Sequence, residues 1–419
     1  MYDVIIIGAR VAGASTAMLL ARKGLRVLAV DRAQFPSDTL STHQVQLAGV
    51  ACLRRWGLLD RIIAAGTPPT RRLRYDARGF VLSGCFPQFE GGDALYSPRR
   101  HLLDKLLVEA AREAGAEIRE GFAVDSISTP NGRVASICGR QVGGRVIHET
   151  ARFIVGAEGK HSLVARTVGA RAYRDRGCRS LAYYAYWDGL PTTDGGRIFT
   201  RERRAVGVWP TNDGLTVTFI AAPIAEFPTF RSSVETKCLE TLDMTGEFGV
   251  KVRAAKRIGP YRGTADLPNR FVKPYGPNWA LVGDAGLVMD PITGQGISQA
   301  LCDAELLSDA LASAFCDGRS LRAALADYER RRNRRAFPVF EFTNEVSSFR
   351  SRNADEQILL RALADKPDEI ERFFGLIAGV ERYDEYGSLR HLIKVLGIRG
   401  LATFAATRMG FVSGRQDAT

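Results

Sequence analysis

The sequence has no apolar run long enough to cross a bilayer: nothing in its 419 residues approaches the ~20 consecutive apolar residues that a spanning helix needs. It has no CxxC pair. Its seven cysteines, Cys52, Cys85, Cys138, Cys178, Cys238, Cys302 and Cys316, are odd in number and scattered. They read as isolated thiols of a reducing compartment, with neither a metal site nor a redox dithiol. Histidine is scarce, five in all, and no Ser/His/Asp or metal-ligand constellation can be assigned. No internal repeat or low-complexity segment interrupts the chain. Met1 is followed at once by Tyr2-Asp3 and an apolar run, with no basic segment or cleavage site ahead of it, which predicts a cytoplasmic protein.

What is present is ordinary for a globular chain: 45% apolar and 25% charged residues, enough for one large or two ordinary domains. The net charge of +12 is carried mostly by Arg. No compact basic run with interleaved aromatics accompanies it, so nucleic acid is not a predicted partner. Peripheral contact with an anionic membrane stays open. The sequence does not predict an oligomeric state.

Along the chain, Val4-Ile5-Ile6-Ile7 reads as a strand buried in a parallel sheet. Ala12–Lys23 reads as a helix ended by Gly24, and Arg26–Val30 as a second strand closing on Asp31, which makes a βαβ unit. Helix is predicted around Val45–Trp56 and His101–Ala114, and strand over Glu117–Ile127 and Phe153–Val155. From about Ala172 to Lys256 the α/β alternation gives way to short β-like runs with turn signals such as Asn212-Asp213-Gly214. Trp279–Val282 returns to buried strand and Gly296–Phe315 to helix. The fold class is therefore α/β: a discontinuous Rossmann-like domain (1–72, 97–171, 265–336), an inserted antiparallel β-sheet substrate domain (73–96, 172–264), and a helical C-terminal region (337–419).

Gly8-Ala9-Arg10-Val11-Ala12-Gly13 lies between strand and helix. Gly8 permits a tight turn and Gly13 close helix–sheet packing, while the helix start, with Val11 and Ala12, offers free N–H groups and positive potential to a pyrophosphate. Asp31, followed by Arg32, is placed to accept ribose hydroxyls. Arg10 stands where the pattern usually has its middle glycine; an extended backbone there would let its guanidinium reach the phosphates. This motif implies a dinucleotide without choosing one. A second segment chooses. Trp279-Ala280-Leu281-Val282-Gly283-Asp284 ends a strand, and Asp290-Pro291-Ile292-Thr293-Gly294-Gln295-Gly296-Ile297 opens a helix. Asp284 can bind a ribityl hydroxyl, Pro291 can sit against an isoalloxazine, and Gly294 to Gly296 can bring backbone N–H groups to its pyrimidine edge, with the helix from Ile297 adding its positive end. That points to FAD.

These motifs, in this order over roughly residues 1–335, resemble the FAD-dependent monooxygenase superfamily built on the glutathione-reductase-type fold, which includes aromatic hydroxylases, geranylgeranyl reductases and flavin halogenases. Gly156-Ala157-Glu158-Gly159-Lys160-His161-Ser162-Leu163-Val164-Ala165-Arg166 is similar to the family's Gly-Ala-Asp-Gly…Ser-x-x-Arg segment, which the resemblance associates with FAD and NAD(P)H; Glu158 replaces the usual Asp. In Ser97-Pro98-Arg99-Arg100-His101-Leu102-Leu103-Asp104, the resemblance places Arg100 near FAD, an ordinary helix start being the alternative. The halogenase Trp-x-Trp-x-Ile-Pro segment is reduced to Ala205-Val206-Gly207-Val208-Trp209-Pro210, and the hydroxylase His after Asp284-Ala285 is missing. Gln295 within Gly-Gln-Gly suits hydroxylases.

Other residues carry open readings. His43, in Ser41-Thr42-His43, is a candidate substrate contact or acid/base, or part of a helix-capping segment. His161 is read as touching phosphate or water; His101, His148 and His391 are read as surface residues. Tyr184, Tyr186 and Trp209, with Tyr183, Trp187 and Phe219, are candidates for a substrate pocket, of which strand alternation allows about half. Leu389–Phe411 is read as a docked helix pair closing the cavity, or as a membrane-surface segment. The function expected from the resemblance is an FAD-dependent monooxygenase (hydroxylase or epoxidase type) that uses NAD(P)H and O2 on an apolar, aromatic or polycyclic small molecule, the basic balance favouring an anionic or phenolic one. The alternatives are an FAD-dependent reductase or dehydrogenase acting on C=C bonds and a non-catalytic flavin-binding redox partner.

Overall fold

The computed structural model describes residues 1–78, 80–128, 135–192, 195–350 and 355–408. The β-branched run at the start forms β1 (Tyr2–Ile7), whose Val4, Ile5 and Ile6 are fully buried because both faces of the sheet are covered. α1 (Val11–Arg22) follows, and β2 (Val27–Asp31) returns parallel to β1. Every residue of α1 from Val11 to Leu20 is buried; its Ala-rich surface lets it pack between two helices at once. Gly24, at φ +82°, ends it in the left-handed conformation that residues with a Cβ avoid.

Beyond β2 come α2 (Leu47–Arg55), α3 (Arg100–Glu113), β3 (Glu117–Glu120), β4 (Val146–Gly156), β5 (Trp279–Leu281) and α4 (Gly296–Phe315). The parallel core runs in the order β5-β4-β1-β2-β3. α1, α3 and α4 cover one face and share one core with Val4, Ile6 and Phe153. The expected strand Glu117–Ile127 is two strands, broken at Gly121, where φ is +65°.

The inserted sheet has seven strands, ordered Lys256–Thr264, Ser180–Asp188, Thr216–Pro223, Arg204–Pro210, Gly196–Arg201, Arg72–Ala77 and Phe80–Cys85. Pairing is antiparallel except between Gly196–Arg201 and Arg72–Ala77. The segment expected to hold only β structure also contains the helices Phe227–Ser232, Val234–Asp243 and Glu247–Ala254. They bury the sheet's outer face through Phe230, Leu242, Phe248 and Val252 against Tyr183, Trp187 and Ile220. Two-residue alternation sends Ala182, Tyr184 and Tyr186 to the inner face.

The C-terminal region is helical, and the helix Leu321–Val346 runs through the expected boundary at 336–337. Its Arg332 is fully buried, donating to the carbonyls of Gly286 and Val272 and to the Tyr173 hydroxyl, which ties this helix to the parallel domain. The later helices pack on the Arg72–Cys85 hairpin through Leu360, Leu363, Ile370, Phe374 and Val395. Phe411 and the rest of 409–419 lie outside the described residues. Among the described residues no helix is long and apolar enough to cross a membrane.

Two further expectations are corrected. The Cys52 and Cys302 sulfurs lie 3.7 Å apart between α2 and α4, so these thiols are not isolated. His391 is buried rather than on the surface: its Nδ1 faces the Tyr386 carbonyl at 2.6 Å and its Nε2 the Glu369 carboxylate at 2.7 Å. A helix–helix contact hid both from a linear reading.

Candidate functional site

The turn from β1 into α1 shows why its glycines are glycines. Gly8 has φ +96°, and a Cβ there would meet the Ala157 carbonyl oxygen at 2.6 Å; a Cβ on Gly13 would fall 1.8 Å from the Gly8 carbonyl oxygen. The backbone is thus drawn in tightly, which leaves a cradle in front of the first N–H groups of α1, with Val11 and Ala12 on its wall. Asp31 closes one side. Its Oδ2 accepts from Ala9 N and its Oδ1 from Ala33 N, both at 2.8 Å, and each oxygen keeps a lone pair for a hydroxyl. Arg32 stands beside it on the cavity wall.

Arg10 does not disturb the turn. Its φ of −83° and ψ of −161° are extended, so no glycine is required. Its guanidinium crosses to α3, where Nη1 meets Asp104 Oδ2 at 2.5 Å, and to Ser37 Oγ at 3.1 Å. Arg100 Nε and Nη2 reach the same carboxylate at 3.1 Å. Both arginines line the cavity.

The second motif forms the cavity's other end. After β5 the chain makes a short 3-10 turn at Gly283–Ala285, which aims Asp284 into the cavity while Gly283 stays behind it. The Asp284 carboxylate faces the cavity, and desolvation by the surrounding protein pushes its pKa up to about 6, with Arg100 opposing. Asp290 caps the turn Pro291–Thr293 by accepting from Ile292 N at 3.0 Å and takes the Ser180 hydroxyl at 2.5 Å. It therefore pins this turn to the inserted sheet, and burial raises its pKa to about 6 as well. Pro291, Gly296 and Ile297 line the cavity. Gly294 and Gln295 do not: Gly294 supports the turn at φ +64°, and the Gln295 side chain leaves the site to donate to the Ile377 carbonyl at 2.9 Å.

One continuous cavity of about 900 Å³ joins these ends, at the upper end of the ~300–1,000 Å³ range of small-molecule sites. Part of its wall is apolar, with Val288, Met289, Leu267, Phe219, Ala182 and Tyr184. Of the predicted aromatic contacts, Tyr184 lines it; Tyr186 and Trp209 pack behind, in the same apolar cluster. His43 is also behind the wall. It is fully buried at φ +63° and shares a 2.6 Å hydrogen bond between Nε2 and the Tyr186 hydroxyl. Burial, then the positive charge of Arg100, lowers its pKa to about 3, so it is neutral, and it is not among the residues that line the cavity. Among the described residues no C-terminal helix contributes to the cavity wall; those helices sit on the outer hairpin instead.

Asp266 on the cavity wall and Asp104 behind it carried no role in the sequence reading. Asp104 was part of a quoted motif, and its (i, i+4) spacing from Arg100 was the available signal. Lys160 and His161 both pair with Asp266, at 3.1 and 2.7 Å. Glu158 Oε1 accepts from Ser162 Oγ and Val164 N, so this oxygen holds its own turn; burial raises the Glu158 pKa.

This arrangement fits FAD: a cradle that a Cβ would fill, a carboxylate beside it with lone pairs to spare, paired arginines on the cavity wall, and a cavity-facing carboxylate and helix start on the same wall. Comparison with known proteins agrees. Residues 1–222 match the family described as FAD binding domain. The chain is 28% identical over 409 residues to the phenazine 1,6-dicarboxylic acid hydroxylase PhzS of Lysobacter antibioticus, covering 87% of this chain and 92% of that protein. It is 22% identical over 362 residues to the 1H-pyrrole-2-carbonyl-[peptidyl-carrier protein] chlorinase of Pseudomonas fluorescens, covering 78% and 79%. A flavoprotein/dehydrogenase of known structure from Cytophaga hutchinsonii shares the fold with a TM-score of 0.80 at 18% identity, over 98% of this chain and 100% of that one. The chain belongs to the FAD-binding-domain family and is an FAD-dependent oxidoreductase of the monooxygenase and halogenase group.

Proposed function

We propose that the protein is an NAD(P)H-dependent monooxygenase that hydroxylates or epoxidises an apolar aromatic or polycyclic small molecule. One observation carries this reading: the cofactor cradle and the apolar residues Tyr184 and Phe219 line a single cavity, with Pro291 on the same wall. A flat apolar substrate packed there lies against the end of the cofactor site where Gly296 and Ile297 present their N–H groups. The aromatic hydroxylase among the relatives supports the substrate class.

When bound, FAD supplies hydride acceptance from a reduced nicotinamide and activation of O2. The chain supplies the setting. Asp31 and the α1 N-terminus hold the adenosine and phosphate end. The N–H groups of Gly296 and Ile297, with the positive end of α4 behind them, stabilise negative charge on the pyrimidine edge and cannot titrate. Val288, Met289, Leu267 and Phe219 give the pocket an apolar wall, which favours oxygen transfer over loss of the reducing equivalents to solvent. Tyr184 presents its ring to the substrate.

The test is turnover of the FAD-loaded protein with NADH or NADPH and a panel of phenols and polycyclic aromatics, followed by oxygen uptake and by 18O incorporation from 18O2. The expected result is substrate-stimulated nicotinamide oxidation with one 18O atom in the product. Reduction of a C=C substrate without oxygen uptake would overturn the reading in favour of a flavin reductase.

A further inference from the structure

The position that usually holds the middle glycine of the cradle holds Arg10, and the side chain it adds is fully accounted for. Asp104 is completely enclosed, and it meets Arg10 Nη1 at 2.5 Å and Arg100 at 3.0 Å. A carboxylate at this depth is stable only when paired, and here a single anion is shared by a pair of cations, so the cluster keeps a net positive charge. The surplus faces the cavity, next to the free N–H groups of α1. Arg10 is held from a third side by Ser37 Oγ at 3.1 Å, and its guanidinium lies over the Phe35 ring at 5.4 Å.

We infer that Arg10, Asp104 and Arg100 form a preassembled clamp for the FAD pyrophosphate, with Asp104 as the positioning residue. The carboxylate holds the guanidiniums side by side against their mutual repulsion. A diphosphate arriving at the α1 N-terminus then meets oriented N–H donors rather than free side chains, so less rotamer entropy is lost on binding. Arg10 thereby replaces the close backbone approach of a glycine with a second side-chain cation. The inference rests on the cofactor and not on the substrate, so it stands or falls independently of the monooxygenase reading.

The experiment uses the full chain stripped of flavin. FAD is titrated by fluorescence quenching at several NaCl concentrations, and ADP and adenosine are measured as competitors. Arg10→Gly, which the extended backbone accommodates, is expected to bind FAD about tenfold more weakly, the size of one charge-assisted hydrogen bond. Its salt dependence should be flatter. ADP should weaken by the same factor and adenosine, which lacks phosphate, not at all. Asp104→Asn should weaken FAD and ADP but cost less in the Arg10→Gly background than alone, because part of its effect passes through Arg10. Unchanged FAD affinity in Arg10→Gly, equal losses for ADP and adenosine, or fully additive losses in the double variant would each overturn the clamp. Should Asp104→Asn not fold, the ADP and adenosine comparison in Arg10→Gly decides.

Discussion

The Nε2 of His43 and the hydroxyl of Tyr186 stand 2.6 Å apart in a fully enclosed contact that fastens the loop before α2 to the inner face of the inserted sheet. The groups around the ring are mostly cationic: Arg100, Arg99 and His101 disfavour a second proton, and only Asp38 favours one. The ring stays neutral down to about pH 3, whereas in the unfolded chain it takes up a proton near its ordinary 6.5. The folded state therefore loses stability as pH falls from 6.5 towards 3, by roughly 3 kcal/mol at pH 4. His43→Asn, which tolerates the left-handed backbone, should flatten that loss. Superimposable acid-denaturation curves for wild type and variant would refute this account.

Asp31→Ala removes the acceptor proposed for the ribose and also leaves Ala9 N and Ala33 N without their partner. Flavin retention should drop at least about tenfold, with a stability cost of about 1–2 kcal/mol. Flavin-to-protein ratio after purification reads the first effect and thermal melting the second. An unchanged ratio would remove Asp31 from the cofactor site.

Gly8→Ala places a Cβ 2.6 Å from a backbone oxygen at a φ of +96°. Backbone cannot move aside cheaply, so the expected loss exceeds about 2 kcal/mol. Gly24→Ala is the matched control: φ is +82° but nothing lies within 4 Å, and about 1 kcal/mol is expected. Equal losses in urea denaturation would show that conformation alone, and not the close approach, explains Gly8.

Desolvation pushes the Asp284 pKa up to about 6, above the ordinary carboxylate value of 3.8. Ionising it costs the folded state, so its contribution is most favourable below 3.8 and is lost as pH rises through 6. Asp284→Asn should raise the melting temperature of the flavin-free protein at pH 7.5, by about 1 kcal/mol of stability after allowing for water in the cavity. The gain should vanish below pH 4. FAD binding should weaken in the same variant. A melting temperature that falls at pH 7.5 would contradict the raised pKa.

Much of the cavity wall was legible in advance because it is made by local sequence. Gly8, Gly13 and Asp31 act through a turn and two strands that are neighbours in the chain, and Asp284, Pro291 and Gly296 follow from one strand, one turn and one helix start. Tyr184 and Tyr186 were not separable in that way. They lie on the same side of one strand, and which of them reaches the cavity depends on His43 arriving from a loop 143 residues away to hold Tyr186. Gln295 stood in the right motif, yet its side chain follows the Ile377 carbonyl out of the site.

The sequence by itself determined the alternation of buried strand and helix, the turns that need glycine, and the dinucleotide cradle with its acidic residue. These depend on backbone sterics and on hydrophobic periodicity within some thirty residues. Only the tertiary structure decided that Arg10 turns to Asp104, that Cys52 meets Cys302 across 250 residues, that His391 is buried against Glu369, and that the cofactor cradle opens into an apolar pocket. A side chain's partner is set by whichever distant element packs against it, and nothing in the neighbouring sequence carries that information.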